Sequence, residues 1–66
     1  MIPDLDIYRA AKLLLDRYGE VAAVRAERRV SELWDAGDAE GTAVWRQILH
    51  AVGELTRPRR DDEPVN

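Results

Sequence analysis

The 66-residue chain contains no cysteine, one histidine and no long apolar run. The missing cysteines exclude disulfides and thiolate metal sites, two devices by which small domains commonly gain stability. Its longest apolar runs, residues 13–15 and 21–24, fall far short of the roughly 20 residues needed to cross a bilayer. No stretch alternates as a strand would, and no internal repeat or interdomain linker is present. The opening residues Met1, Ile2, Pro3 and Asp4 lack the basic region and apolar stretch of a secretory signal, so a cytoplasmic location is expected.

What is present is 45% hydrophobic and 35% charged, the composition of a folded chain with a heavily charged exterior. So short a chain makes one domain with a thin core. Its net charge is −3, and the arginines at 57, 59 and 60 cancel Asp61, Asp62 and Glu63, so the deficit belongs to the body of the chain. An acidic body argues against a general phosphate-binding surface.

The apolar spacing predicts an all-α fold, a compact three-helix bundle with helices over about 5–18, 20–36 and 39–56. Residues 1–57 form the domain. Asp4 is expected to cap the first helix, whose buried stripe is Ile7, Ala11, Leu14, Leu15 and Tyr18. Gly19 can take the left-handed conformation that ends it. The second helix presents Ala22, Ala26, Val30, Leu33 and Trp34 on one face, with alanines first, so that a neighbour can approach closely. Gly37 supplies a second stop, and Asp38 caps a third helix carrying the stripe Val44, Trp45, Ile48, Leu49, Ala51, Val52 and Leu55. Pro58 blocks continuation, and residues 58–66, with two prolines and mixed charge, read as a disordered tail.

Three apolar residues, Leu13, Val21 and Val24, lie off these stripes and are the candidate interaction surface, for a protein partner or a second copy of the chain. Arg25, Arg28 and Arg29 form a strip on the outer face of the second helix that could hold an anionic partner, although Glu32 stands where it can pair with Arg28 or Arg29. A helix-turn-helix reading is disfavoured by Asp38 and Glu40 at the leading edge of the third helix. Trp34 and Trp45 read first as core anchors near the second turn. His50 falls on a polar face with no second histidine, which points to a solvated side chain and leaves no constellation for a metal or for a triad with Ser31 or Thr42. Residues 35–41 are too short for a calcium loop, and Gly37 and Gly41 are not a phosphate loop.

Residues 6–20 (DIYRAAKLLLDRYGE) and 37–55 (GDAEGTAVWRQILHAVGEL) resemble a family of short, uncharacterised bacterial proteins, mainly alphaproteobacterial. The similarity would span about residues 4–57, with 21–35 matching less well. It implies a bacterial cytosolic setting and carries over no functional residue. The expectation is a small, non-catalytic protein–protein interaction module that self-associates and needs no cofactor. The alternative is a nucleic-acid accessory protein working through the arginine strip.

Overall fold

The computed structural model describes residues 4–56, and within them the chain is all-α with no strand. Residue 57 and the tail expected over 58–66 lie outside the described residues. Helix α1 spans Asp4–Tyr18, α2 spans Ala22–Asp35 and α3 spans Ala39–Thr56.

Asp4 is already helical, so with Asp6 it complements the positive end of the α1 dipole from inside the first turn and is not the cap that was expected. Gly19 does take positive φ (+54°), yet no irregular loop follows. Gly19–Val21 form a single 3₁₀ turn that runs straight into α2. The second helix therefore starts at Ala22 instead of residue 20 and ends at Asp35. Residues 4–35 form one helical run bent at Gly19, and α3 is the only described helix set apart from it by non-helical residues.

The second turn is tightly specified. Gly37 adopts φ +77°; its N–H donates to the Trp34 carbonyl at 3.0 Å, and the Asp38 N–H donates to the Leu33 carbonyl at 2.9 Å. This is the Schellman pattern that satisfies the last carbonyls of a helix. Asp38 then opens α3, its Oδ1 accepting from the Gly41 N–H at 2.8 Å and its carbonyl accepting from the Thr42 N–H at 3.0 Å and the Thr42 hydroxyl at 2.7 Å. Glycine at position 41 matters here, because a Cβ would come within 2.5 Å of the Asp38 carboxylate.

Helix α3 packs on both other helices, whereas α1 and α2 meet little beyond their joint. The core cluster is Ile7 and Ala11 from α1, Ala22 from α2, and Ile48, Ala51 and Val52 from α3. Leu14, Leu15, Tyr18, Val44 and Trp45 pack partly buried around it. Ala26 and Thr42 are buried outside that cluster, and the Thr42 hydroxyl is satisfied by Asp38. Alanines at 11, 22 and 26 are wholly inaccessible, which lets α3 settle close to the backbone of its neighbours. The cost is volume, since the largest fully buried side chain is Val52. Leu55, expected on the core stripe of α3, is about half exposed near the helix end.

These contacts set two expectations for chemical denaturation monitored by circular dichroism. Ala22→Leu should destabilise by about 1–3 kcal/mol through overpacking. Asp38→Ala should remove about 1 kcal/mol by uncapping α3. An Ala22→Leu variant as stable as the parent would contradict the close approach at that residue.

Candidate functional site

The described surface offers four places to look for function: the off-stripe aliphatics, the arginine strip, the histidine face of α3, and the end of the molecule where α2 turns into α3.

Leu13, Val21 and Val24 are all exposed, Leu13 the most at 68%. Both Leu13 and Val24 sit roughly opposite the buried faces of their helices, while Val21 closes the 3₁₀ turn. The structure does not gather them into one depression. Leu13 lies in a shallow hollow shared with Arg9, Lys12 and Asp16 of its own helix.

Arg25, Arg28 and Arg29 line a shallow groove of about 240 Å³ together with Leu14, Tyr18 and Trp45. Arg25 stands over the Tyr18 ring, its guanidinium carbon 4.7 Å from the centroid, an attraction between cation and ring quadrupole. Arg29 Nη1 is 3.3 Å from Glu32 Oε1. Of the two pairings open to Glu32, the one to Arg29 forms. Both groups are about half exposed, so the pair contributes little to stability.

On α3, His50 Nδ1 lies 3.4 Å from Glu54 Oε1, one helical turn away. The other carboxylate oxygen of Glu54 accepts a 2.5 Å hydrogen bond from the Tyr8 hydroxyl of α1. These three side chains, with Asp4 and Gln47, border a hollow of about 360 Å³. Accepting this bond, Glu54 favours the protonated phenol, and its negative charge adds to the effect; both raise the Tyr8 pKa above its ordinary value. The contact joins residues 46 positions apart and had no signal in the sequence, because it depends on how α1 is set against α3. Neither Ser31 nor Thr42 is hydrogen-bonded to His50; the Thr42 hydroxyl is committed to the Asp38 carbonyl. Among the described residues, no group of three or more His, Asp or Glu side chains converges as a metal site would require. No described helix is long and apolar enough to cross a membrane.

The two tryptophans part company. Trp45 is half-buried against the core, as expected. Trp34 is 64% exposed and is not a core anchor. It occupies the last turn of α2, one position past Leu33, and a step of about 100° carries it off the side of the helix that faces α3. Arg46 of α3 reaches over it, with its guanidinium carbon 5.8 Å from the ring centroid. Between the end of α2 and the start of α3 lies a groove of about 660 Å³, which neither Trp34 nor Arg46 lines. Leu33, Val44 and Trp45 supply its apolar lining, and Arg29, Asp38 and Glu40 its charged rim. Sequence reasoning missed this groove, whose walls come from two helices and whose opening depends on the Gly37–Asp38 turn.

Models of known protein families, curated proteins and solved structures all give no match to the chain.

The Tyr8–Glu54 bond has a pH signature. An unfolded phenol titrates near 10, and a folded value raised above it means that the stabilisation is complete below that pH and is lost as pH rises through the folded value. In an alkaline titration of tyrosinate absorbance, Glu54→Gln should move the Tyr8 transition to lower pH, with Tyr8→Phe identifying which transition is Tyr8. An unmoved transition would show that the bond does not persist in solution.

Proposed function

We propose that this chain is a small, non-catalytic protein–protein interaction module that associates with copies of itself. The observation that carries the proposal is the distribution of apolar side chains by size. The core is built on alanines with Ile7, Ile48 and Val52, while Leu5, Leu13, Val24 and Trp34 are more than half exposed. Each large aliphatic or aromatic side chain left in water forgoes about 1.5–3 kcal/mol of burial, a substantial fraction of the stability of a domain this small. Covering some of these groups with another protein surface recovers part of it.

The scaffold for this role is read as a compact three-helix bundle, with α3 as the element that both others share. The packing of α3 on α1 and on α2 supports that architecture. A bacterial cytosolic setting is part of the same proposal and rests on the resemblance of residues 6–20 and 37–55 to short bacterial proteins.

The arginine strip supports the alternative, a nucleic-acid accessory role, less well. Arg25 is engaged with Tyr18 and Arg29 with Glu32, and the body of the chain is acidic. A backbone-binding surface uses cations free to displace counterions from phosphates.

Sedimentation equilibrium on the full chain tests the proposal. The average mass should climb above the 7.5 kDa of one chain as concentration increases. A single monomeric species throughout, joined with a salt-sensitive mobility shift on DNA or RNA that Arg25→Glu, Arg28→Glu and Arg29→Glu abolish, would replace it with the alternative.

A further inference from the structure

The two reversals of the chain are built differently. At the second, Asp38 and the peptide groups around Gly37 hold both helix ends by hydrogen bonds. At the first, neither Tyr18 nor Val21 caps a helix with its side chain, and the Ala22 N–H donates to the Gly19 carbonyl in a 3₁₀ bond. Of the joint residues only Gly19 has positive φ, at +54°. Resting on the self-association proposed above, we infer that this joint is a hinge for exchange between two copies. With Gly19 in helical conformation, residues 4–35 become one unbroken helix, and α1 of each copy docks on α3 of the other.

The first observation behind this is phase. At about 100° per residue, an unbroken helix places Ile7, Ala11, Ala22 and Ala26 within a sector of about 100°. All four are buried in the bent chain. Leu13 and Val24, both more than half exposed, fall on the opposite side, about 20° apart. The amphipathic period therefore passes from α1 into α2 without a break, and straightening keeps one buried face and one exposed face.

The second is the way α1 is held. Beyond the joint it meets α2 little and rests on α3, with Ile7 and Ala11 in the cluster of Ile48, Ala51 and Val52 and the Tyr8 hydroxyl donating to Glu54. Each of these contacts can be made by the α1 of a second copy, so the exchanged helix fits by construction. Exchange of an identical element is a low-cost route to a dimer for that reason.

The third is length. The straight helix would be roughly 48 Å long, whereas α3, Ala39–Thr56, spans roughly 27 Å. Because the short reversal at Gly37 and Asp38 keeps α3 against α2, one α3 cannot also cover the Ile7 and Ala11 face of the extended half. The α3 of a second copy can. Straightening also gives the N–H groups at the start of α2 full intrahelical partners. Within one chain that gain would strip α1 from α3; between two chains it comes with the α1–α3 contact intact, once at each joint.

Gly19→Ala is the discriminating variant. A Cβ at position 19 meets nothing within 4 Å, so in the bent chain only φ opposes an alanine there. In an unbroken helix alanine is favoured over glycine. Sedimentation equilibrium on the full chain from about 10 μM to about 1 mM should show the parent in monomer–dimer equilibrium. Gly19→Ala should lower the dissociation constant by roughly 100-fold, a bias of roughly tenfold at each of two joints, with no loss of helical circular dichroism. Pairing is read by cross-linking. The chain has no cysteine, so a Tyr8→Cys, Glu54→Cys variant carries its only thiols at two exposed positions. In the isolated dimer, a short bis-maleimide should bridge them between chains, giving twice the mass of one chain on denaturing electrophoresis. Bridges confined to single chains, or a parent dimer whose affinity Gly19→Ala leaves unmoved, overturn the exchange and leave self-association standing. A parent chain that is monomeric up to the highest concentration overturns both.

Discussion

The arrangement of α2 and α3 depends on a set of hydrogen bonds centred on one residue. Asp38 donates its N–H to the end of α2 and offers its carboxylate and carbonyl to the start of α3. A helix end normally leaves four carbonyls or four N–H groups without partners, and two helices that meet at a turn must satisfy both sets within a few residues. Here a single side chain and the peptide groups around it serve both. That economy allows α2 and α3 to reverse direction with only Ala36, Gly37 and Asp38 between them. It also fixes which residues are left outside the interface. Leu33 accepts the bond from Asp38 and lines the groove, whereas Trp34, one step on, is turned into solvent.

A second constraint follows from the alanines. Helices that approach through Ala11, Ala22 and Ala26 gain close contact and lose the volume of larger side chains. A chain of 66 residues without cysteine has few other means of compensation. The Tyr8–Glu54 hydrogen bond between α1 and α3 is one, but it lies at the exposed surface. Leu5, Leu13, Val24 and Trp34 are the large apolar side chains that this close packing leaves more than half exposed.

Much of this was legible along the chain wherever the cause is local. Gly19 and Gly37 both take positive φ, and Asp38 does cap α3, because left-handed geometry and side-chain capping depend on a few neighbouring residues. The buried positions Ile7, Ala11, Ile48 and Val52 follow from helical period alone. The exposure of Leu13, Val21 and Val24 was legible for the same reason. Features that depend on one helix being placed against another were hidden. Trp34 continued the apolar stripe of α2, yet α3 leaves the turn in a direction that does not cover it. The Tyr8–Glu54 contact needs the register of α1 on α3, and the 3₁₀ turn at Gly19–Val21 differs from a helix stop only in hydrogen bonding that residue types do not encode.

The bend at Gly19 has a consequence for how the molecule comes together. Helices α2 and α3 adjoin in sequence, share a three-residue reversal and can find each other through short-range contacts. Helix α1 meets α2 mainly at the joint, so its place is set by contacts with α3 that are remote along the chain. Closing that long loop is entropically slower than closing the short one, which makes the α2–α3 hairpin the natural nucleus and the docking of α1 the late event. The same ordering read backwards makes α1 the first helix to detach. In doing so it would uncover the Ile48, Ala51 and Val52 face of α3 while the reversal at Asp38 stays closed, giving this small chain a partly open form as a neighbour of its native state.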